Sequence, residues 1–298
     1  MKKNLLVIIV TYNGMKWLER CLKSIASSSV EASVFIVDNG STDGTQKYIT
    51  DNYPEVKFIQ SPENLGFGKA NNIGLQYAVD NKYEYVYLLN QDAWVEEDTF
   101  KTLIETNRSN PEYGILSPIQ MQANGKKMDA NFLNYVAYRT KNGSMLEDMY
   151  SGNTKDIYEV EDVMAAHWLI SGRCLRETGG FSPAFRHYGE DDNYIDRAAY
   201  HGFKTGIVPE SRAVHDRESR KATRKSLAYR CGTMILIELS QISRKINWFK
   251  PLLKCLQYTY NYGIFRQYGY MIGHFANIGK IMRTRRLSRS KGAFLEIH

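Results

Sequence analysis

The fold of this chain is constrained most by an alternation within its first hundred residues. Short apolar runs at 5–10, 33–37, 56–59 and 85–89 are bounded by polar or turn residues, which is typical of buried strands. The intervening segments, such as 15–26, carry apolar residues at intervals of three and four, as one face of a helix does. Strands that alternate with helices through short connections predict βαβ units. We therefore expect an α/β fold with a mostly parallel sheet flanked by helices.

The fourth apolar run ends abruptly in Asn90-Gln91-Asp92. In open α/β sheets the ligand crevice lies outside the carboxyl ends of the strands, so Asp92 is placed where such a fold does its chemistry. A carboxylate there can hold a divalent metal, and that metal usually serves a phosphate. Asp92 can instead cap the helix that begins near Glu96 or close a turn. When Asp92 is considered alone, this structural role is the better interpretation.

Two nucleotide-binding folds are excluded by their glycine patterns. The segment 66–71 reads GxGxxN, lacks the third glycine and follows the third predicted strand, whereas a dinucleotide fingerprint follows the first. No GxxxxGK[ST] motif is present, which excludes a P-loop NTPase. The four cysteines are scattered without a CxxC pair, which argues against a zinc site or a disulfide framework and fits a reducing compartment.

No targeting or membrane-spanning segment is predicted. The apolar run at 4–10 is too short for a signal peptide, and no apolar stretch approaches the roughly 18–20 residues that a spanning helix needs. The segment 124–153 is polar and bears glycines, so we expect a long excursion that acts as a flexible acceptor loop.

Five motifs then occur in order, each at a predicted strand end or loop. They are Val7-Ile8-Ile9-Val10-Thr11-Tyr12-Asn13, Asp38-Asn39-Gly40-Ser41-Thr42-Asp43-Gly44, Asn64-Leu65-Gly66-Phe67, Leu89-Asn90-Gln91-Asp92, and Glu190-Asp191 before a helix. Each is weak alone. Together they resemble the family 2 inverting glycosyltransferases of the GT-A fold, especially the rhamnosyltransferase-like branch, over about residues 4–216. The resemblance implies a nucleotide-diphosphate sugar donor and a glycan or lipid-linked saccharide acceptor.

The resemblance also implies roles at the donor site. Thr11, Tyr12 and Asp38 would line the pocket of the nucleotide base. Asn64, Gly66, Lys69 and Asn72 would sit around the ribose and diphosphate. Asn90 would contact the nucleotide, and Gln91 beside it would also bind the donor. Asn71 stands where the family frequently has an arginine, so one phosphate contact is missing or supplied elsewhere.

The resemblance assigns the metal and the base to different carboxylates. Asp92, in the place of the DxD motif, would bind Mg²⁺ or Mn²⁺, and His215 would complete the metal shell. Asn90 replaces the first acid of that motif, which leaves one certain carboxylate ligand. Asp191, beside Glu190, would be the catalytic base, and a register shift of one residue would make Asp192 the base.

Chemistry supports two carboxylate stations independently. Inversion is an in-line displacement, so the acceptor hydroxyl needs a base on the face opposite the leaving group. The leaving nucleoside diphosphate develops charge, which a metal stabilises. The acidic residues 190–192 can instead be the negative first turn of a helix, which the helix dipole favours.

Three further residues have two interpretations each. His167 and Trp168 either belong to the core or line the acceptor pocket, and we favour the pocket because aromatic rings commonly lie beside sugars. Arg173 contacts a phosphate or forms an ion pair with a neighbouring carboxylate.

The charge of the chain is unevenly placed. Residues 211–298 carry 18 Lys and Arg against 4 Asp and Glu, whereas the preceding part is acidic. We expect a GT-A catalytic domain at 1–220 and a basic, aromatic-rich helical extension at 221–298. Basic residues among Trp, Tyr and Leu suit a helix in an anionic membrane interface, so we predict a cytoplasmic protein that is peripheral on the inner face of the membrane. The alternative is a helical domain that only packs on the core. Nucleic acid is not an expected partner, because the body is acidic and shows no recognition motif.

Two other functions remain open at this point. A sugar-phosphate nucleotidyltransferase would need a glycine-rich, basic signature after the first strand, and Thr11-Tyr12-Asn13-Gly14 does not supply one. A non-catalytic nucleotide-sugar-binding or membrane-associated scaffold would not need both Asp92 and Asp191.

Overall fold

The computed structural model describes residues 4–217 and 223–296, which build one nine-stranded sheet with helices packed around it. The strands are β1 (Leu5–Thr11), β2 (Ser33–Asp38), β3 (Lys57–Gln60), β4 (Tyr85–Asn90), β5 (Ala93–Val95), β6 (Tyr113–Met121), β7 (Tyr158–Glu159), β8 (His167–Ser171) and β9 (Lys204–His215). The helices are α1 (Met15–Ala26), α2 (Thr45–Asn52), α3 (Phe67–Asp80), α4 (Thr99–Ser109), α5 (Ala130–Tyr138), α6 (Met145–Ser151), α7 (Gly172–Thr178), α8 (Glu190–Tyr200), α9 (Arg224–Ser240), α10 (Lys250–Tyr262), α11 (Arg266–Ala276) and α12 (Ile278–Leu287).

The sheet has a parallel half and a mixed half. Its strand order is β3-β2-β1-β4-β8-β6-β9-β5, with β7 paired to β9. The first four strands in this order are parallel, as the alternating sequence predicts. β8 runs antiparallel to both β4 and β6, whereas β9 is parallel to β6. The α/β class with helices flanking the sheet is confirmed, and every antiparallel pairing among these strands involves a strand that follows β4.

The alternation of side chains along β1 divides the core between the two faces of the sheet. Leu6 and Ile8 lie in one apolar cluster with residues of α3 and α8. Leu5, Val7 and Ile9 lie in the other, against the apolar stripe of α1. Full burial of such a side chain is worth roughly 1.5–3 kcal/mol, so both faces hold the strand in place.

The polar segment 124–153 is not an extended loop, and the prediction of a flexible excursion was wrong here. It contains α5 and α6, whose residues Phe132, Val136 and Met145 are buried in the core. Asp129 begins α5 by accepting hydrogen bonds from the backbone N–H groups of Asn131 and Phe132, each at 2.9 Å. Both helices are short, so each buries too few apolar residues to show a clear periodicity.

The C-terminal helices have a small core of their own and also pack on α8, through α9. Cys231, Ile235, Leu239, Cys255 and Ile281 form this second core between α9, α10 and α12. The predicted domain boundary between 220 and 221 lies outside the described residues. In the described ranges, no helix is both long enough and apolar enough to cross a membrane.

Candidate active site

A cleft of about 540 Å³ opens where β4 ends. Asn90, the last residue of β4, lines it together with Asp191 and its neighbours in the first turn of α8. The remaining lining comes largely from α5, α9 and α10, namely Asn131, Asn134, Tyr135, Arg139, Arg230, Thr233, Met234, Ile237 and Tyr258. The cleft therefore lies at the carboxyl end of a parallel strand, as expected for an open α/β sheet.

Asp92 and His215 meet beside this strand end. The antiparallel pairing of β5 with β9 places Ala93 opposite His215, and the Asp216 N–H donates to the Asp92 carbonyl at 2.8 Å. Asp92 Oδ1 lies 3.5 Å from His215 Nε2. Burial would raise the pKa of Asp92, but the hydrogen bond and charge of His215, with a contribution from Arg217, hold this pKa below its ordinary value. Asp92 is therefore a carboxylate anion at neutral pH.

The donor atoms of this pair suit a divalent cation. A carboxylate oxygen and an imidazole nitrogen both coordinate such ions, and they lie close enough to share one. No set of three or more His, Cys, Asp or Glu side chains within 4–217 and 223–296 is arranged to hold a metal. A cation here would therefore complete its coordination with ligand oxygens or water.

The first turn of α8 carries three adjacent carboxyl groups. A helix N-terminus favours anions, yet burial raises the pKa of Glu190 to about 7, that of Asp191 to about 6 and that of Asp192 to about 7. For Asp191 the second cause is the charge of Glu190, and for Asp192 it is the charge of Asp191. Glu190 Oε2 is buried without a hydrogen-bond partner. These groups exchange protons near neutral pH, which is the property that acid–base catalysis requires.

Gly189 lets the C-terminal helices approach this turn closely. Its φ is 84°, a conformation that residues other than glycine rarely adopt. A Cβ on Gly189 would lie 2.9 Å from Thr233 Cγ2 and 3.0 Å from Ile237 Cδ1, both on α9. The acidic turn and one wall of the cleft are thus in direct contact.

A buried arginine fixes the remainder of α8. Arg197 donates to the carbonyl of Thr178 at 2.6 Å, to the carbonyl of Gly180 and to Asn193 Oδ1 at 3.2 Å. These bonds connect α8 to the turn after α7, and the side chain of Arg197 is fully buried between them. No motif of the sequence pointed to this role.

The ends of β1 and β2 are joined by a buried carboxylate. Asp38 is fully buried and accepts hydrogen bonds from Thr11 Oγ1 at 2.8 Å, the Ser41 N–H at 2.9 Å and Gln46 Nε2 at 2.9 Å. Tyr12 follows with 48% of its surface exposed. At this strand end, Tyr12 therefore has an exposed side chain that is available to a ligand.

Gln91 connects this strand end to β4. Its side chain accepts from the Tyr12 N–H at 2.8 Å and donates to the Tyr12 carbonyl at 3.1 Å. A Cβ on Gly14 would lie 2.4 Å from Gln91 Oε1, so only glycine leaves room for this pairing. Gln91 thus positions Tyr12 beside the end of β4.

Comparison with known proteins supports one family. The family model described as glycosyl transferase family 2 matches residues 6–148, from β1 into α6, which is just under half of the chain. This match, together with the relatives below, supports a glycosyltransferase of family 2. The chain is therefore a glycosyltransferase, as the five motifs predicted.

Relatives and solved structures agree with this assignment. The chain is 27% identical over 230 residues to an N-acetylglucosaminyl-diphospho-decaprenol L-rhamnosyltransferase of Mycobacterium tuberculosis, covering 70% of this chain and 75% of that protein. It is 23% identical to the low-salt glycan biosynthesis hexosyltransferase Agl10 of Haloferax volcanii, covering 72% and 68%.

The structural neighbours show the fold. S. aureus TarS 1–349 matches with a TM-score of 0.64 at 15% identity, covering 96% of this chain and 83% of that one. The mannosyltransferase PcManGT from Pyrobaculum calidifontis, solved with GDP-Man and Mn²⁺, matches with a TM-score of 0.58 at 18% identity, covering 95% and 79%. The GT-A fold is confirmed.

The donor residues predicted between β3 and the middle of α3 differ in their exposure to solvent. Asn64 and Lys69 are exposed, and Asn64 Oδ1 accepts from the Gly66 N–H at 2.9 Å. Asn72 is placed differently, because its Nδ2 donates to the Phe181 carbonyl at 2.9 Å and its Oδ1 accepts from the Phe181 N–H at 2.6 Å. The amide of Asn72 is therefore occupied by the backbone, and the prediction that it contacts the donor is contradicted.

The predicted acceptor residues His167 and Trp168 do not reach the cleft. Both are fully buried on β8, which lies between β4 and β6. The ring nitrogens of His167 lie 2.9 Å from the Tyr87 hydroxyl and 3.1 Å from the Val214 carbonyl. Trp168 packs on Phe181 and Tyr194. The acceptor-pocket prediction for these two residues was wrong, and the core interpretation holds.

Arg173 also lies away from the cleft lining. It is on α7, its side chain is 69% exposed, and its Nε lies 3.7 Å from Glu177 Oε1 one helical turn later. Its guanidinium also lies 5.4 Å from the ring centre of Phe203. The alternative ion pair is present, and the phosphate contact stays a prediction.

Sequence reasoning missed the lining from α5 and α9. Asn131, Asn134 and Tyr135 lie on α5, and Arg139 directly follows it. These residues are spaced as on one helical face, and Asp129 gives a cap signal before them. That combination could have predicted the helix. On α9, Arg230 and Met234 are also one turn apart, but only the tertiary packing of α9 on Gly189 brings them to the cleft.

Proposed function

We propose that this glycosyltransferase transfers a sugar from a nucleoside-diphosphate donor to an acceptor hydroxyl with inversion at the anomeric carbon. The observation that carries the proposal is that Asn90, beside Asp92 at the end of β4, and Asp191, in the first turn of α8, belong to one cleft. Inversion needs a charge-stabilising station at the leaving diphosphate and a base at the incoming hydroxyl. Both stations are carboxylates here.

Asp191 is the base in this proposal. It lines the cleft, and its pKa of about 6, raised by burial and by Glu190, leaves it mainly ionised at neutral pH while keeping it a useful proton acceptor. Its Oδ1 accepts from the Asp192 N–H at 3.0 Å, which fixes the carboxylate within the first turn. Asp191 would remove the proton of the acceptor hydroxyl as that oxygen attacks the sugar. Glu190 would tune its pKa.

The donor diphosphate would lie beside Asn90 and Asp92. Tyr12, held by Gln91, would cover the nucleotide base, with Thr11 and Asp38 supporting that loop from below. The exposed cation Arg217, which also lines the cleft, would neutralise a phosphate. Asn64, Gly66 and Lys69 would approach the ribose and diphosphate from the loop before α3.

The proposal includes a divalent cation. Asp92 and His215 would hold Mg²⁺ or Mn²⁺, which would stabilise the charge that develops on the leaving nucleoside diphosphate. Support comes from the paired donor atoms and from a structural neighbour solved with GDP-Man and Mn²⁺.

The acceptor that we propose is a saccharide of a cell-surface glycan, carried on a lipid diphosphate. Arg139 and Arg230 bring cationic groups to the cleft, while Tyr135, Tyr188 and Tyr258 bring aromatic rings on which sugar faces can pack. The mycobacterial relative is named as a rhamnosyltransferase of a diphospho-decaprenol saccharide. By analogy, dTDP-rhamnose is the first donor to test.

The experiment combines nucleotide binding with donor turnover. Thermal shifts with UDP, dTDP and GDP, each with and without Mn²⁺, identify the base, since a ligand at a hundred times its Kd stabilises by about 2.7 kcal/mol. Release of the nucleotide from the corresponding sugar donor then measures turnover. Asp191→Asn should lower kcat by about 10²–10⁴-fold while keeping the thermal shift, because a general base contributes on that scale.

Asp192→Asn is the matched control, since it removes a carboxylate from the same turn. It should change kcat by much less than Asp191→Asn. Equal turnover by Asp191→Asn and the unmodified enzyme would remove the base assignment, and the opposite order of the two variants would move it to Asp192. Absence of any nucleotide shift would favour the scaffold alternative. NMR of the product's anomeric carbon tests inversion directly.

A further inference from the structure

Helix α10 turns its charged residues toward the protein and several of its apolar residues toward the solvent. Its only charged residues, Lys250 and Lys254, face Glu238 of α9, with Nζ–Oε distances of 2.7 and 3.6 Å. Its exposed residues include Leu252 at 44%, Leu253 at 60% and Leu256 at 51%. A helix on the surface of a water-soluble protein normally buries its leucines and exposes its lysines. The outer face of α10 therefore suits an apolar environment.

The outer face of α10 is a continuous stripe. Phe249, just before the helix, is 78% exposed, and Tyr260 is 92% exposed. Together with the three leucines, they follow the intervals of three and four that define one helical face. α11 adds Phe265 at 70% and Ile272 at 65%. We call Phe249, Leu252, Leu253, Leu256 and Tyr260 the outer stripe.

A strongly cationic cavity begins beside the outer stripe. Trp248, which directly precedes Phe249, lines a cavity of about 520 Å³ together with Arg244, Lys245, Arg285 and Arg289. Burial and the nearby charge of Arg289 lower the pKa of Arg285. Arg244 pairs with Glu161 at 3.3 Å, but no carboxylate lines the cavity itself. This concentration of positive charge favours phosphate groups.

We propose that the outer stripe docks on the surface of an anionic lipid bilayer, with a headgroup phosphate in the cationic cavity. An apolar helical face next to clustered arginine and lysine side chains is the pattern that binds the bilayer interface without crossing it. A second copy of the chain is disfavoured as the occupant, because it would bring the same cationic surroundings against this one. An acidic protein surface would match the charge but would leave exposed leucines facing polar groups.

Docking would also orient the cleft. Tyr258 of α10 lines it, and the hydroxyl of Tyr258 contacts Met234 Sδ of α9 at 3.4 Å. The outer stripe and the acceptor end of the cleft therefore share one helix. This last step rests on the proposed function, since it places the lipid-linked acceptor next to the bilayer that carries it. The docking itself does not depend on it.

The test is co-sedimentation of the full chain with vesicles of phosphatidylcholine, with and without phosphatidylglycerol. The unmodified chain should bind only the anionic vesicles, and less tightly at high salt. Leu253→Glu with Leu256→Glu should weaken binding at least about tenfold, because charges would enter the interface. Lys245→Gln with Arg289→Gln should weaken it by about fivefold per charge removed, as expected for cations at an anionic surface.

Matched controls change the same chemistry elsewhere on the surface. Tyr150→Glu adds a charge at a residue that is 96% exposed on α6, and Lys101→Gln with Lys126→Gln removes two exposed cations from the catalytic region. These variants should bind vesicles like the unmodified chain. All variants should keep their circular dichroism and melting temperature, because the altered side chains are exposed.

Three results would overturn the proposal. They are failure of the unmodified chain to bind anionic vesicles, unchanged binding by the Leu253→Glu and Leu256→Glu variant, and a dimer in light scattering that this variant dissociates. Release of nucleotide from a soluble donor should be equal in that variant and the unmodified chain. Loss of vesicle binding with retained turnover thus separates docking from catalysis.

Discussion

At the scale of single residues, the proposed mechanism depends on carboxyl groups held at different pKa values. Asp92 has a pKa below its ordinary value, because His215 and Arg217 outweigh the effect of burial. Burial raises the pKa of Asp191 to about 6, and the charge of Glu190 adds to this. In the proposed mechanism, Asp92 is therefore an anion at neutral pH beside the proposed diphosphate position, whereas Asp191 titrates where it can accept a proton.

This difference predicts the acidic limb of the pH profile. Asp191 acts as a base only when ionised, so kcat/KM should fall below its pKa of about 6, approaching tenfold per pH unit. Glu190→Gln removes a carboxyl group whose charge contributes to this rise, so the limb should move to lower pH. The shift should be less than one pH unit, because Glu190, with a pKa of about 7, is largely protonated where Asp191 titrates. The measurement is nucleotide release from the sugar donor between pH 5 and 8.

Glu105→Gln, an exposed change on α4, is the control and should leave the limb in place. A pH profile of Glu190→Gln that coincides with that of the unmodified enzyme would show that Glu190 does not affect the pKa of Asp191. A limb that persists in Asp191→Asn would assign the titration to another group.

At the scale of elements, Asn72 connects α3 to the turn that precedes α8. Its amide makes two hydrogen bonds with the backbone of Phe181, a residue far away in the sequence. Arg197 holds the same turn from the other side through the carbonyls of Thr178 and Gly180. The position of the acidic turn therefore depends on side chains that do no chemistry.

Asn72→Ala should destabilise the fold by about 1–3 kcal/mol, because it leaves buried backbone groups of Phe181 unpaired. The melting temperature should fall by a few degrees. Asn52→Ala, which removes one local bond to the Tyr48 carbonyl, should have a much smaller effect. An increase in KM for the donor with no loss of stability would instead support the contact between Asn72 and the donor that the motif implied.

The parts of this enzyme that the sequence predicts are those encoded by local pattern. The apolar runs and helical spacings predict the parallel half of the sheet. The polar residues after the fourth run predict that Asn90 and Asp92 lie at the end of β4. α5 and α6 were missed because each buries only one or two apolar residues. His167 and Trp168 were misplaced because their burial follows from β8 inserting between β4 and β6, which no local pattern records.

At the scale of the whole molecule, the last described residues return to the catalytic region. We call residues 290–296 the terminal strap. The carbonyl of Ala293 accepts from the Gly180 N–H at 2.8 Å, and the Gly292 N–H donates to the Glu177 carbonyl at 3.0 Å. Glu296 exchanges two hydrogen bonds with the side chain of Gln76 on α3, at 2.7 and 2.8 Å. The chain thus closes over α3 and α7 beside the turn that supports α8.

This closure predicts that the terminal strap stabilises the active site from a distance. Gln76→Ala removes both bonds to Glu296, which are exposed to solvent, and should lower stability by about 0.5–1 kcal/mol. A chain that ends at Arg289 loses every strap contact and should melt at a still lower temperature. In both variants, hydrogen exchange at the amides of α7 and α8 should accelerate more than exchange in β1, because the strap contacts only one side of the fold.

Asp80→Ala separates the strap from the local helix contact. Gln76 Nε2 also donates to Asp80 at 2.8 Å, so this variant removes a bond within α3 and leaves the bonds to Glu296 in place. Its exchange pattern at α8 should match that of the unmodified enzyme. Uniform acceleration across the whole sheet in Gln76→Ala would indicate a general loss of stability, and unchanged exchange at α8 in the shortened chain would show that Asn72 and Arg197 hold the acidic turn without the strap.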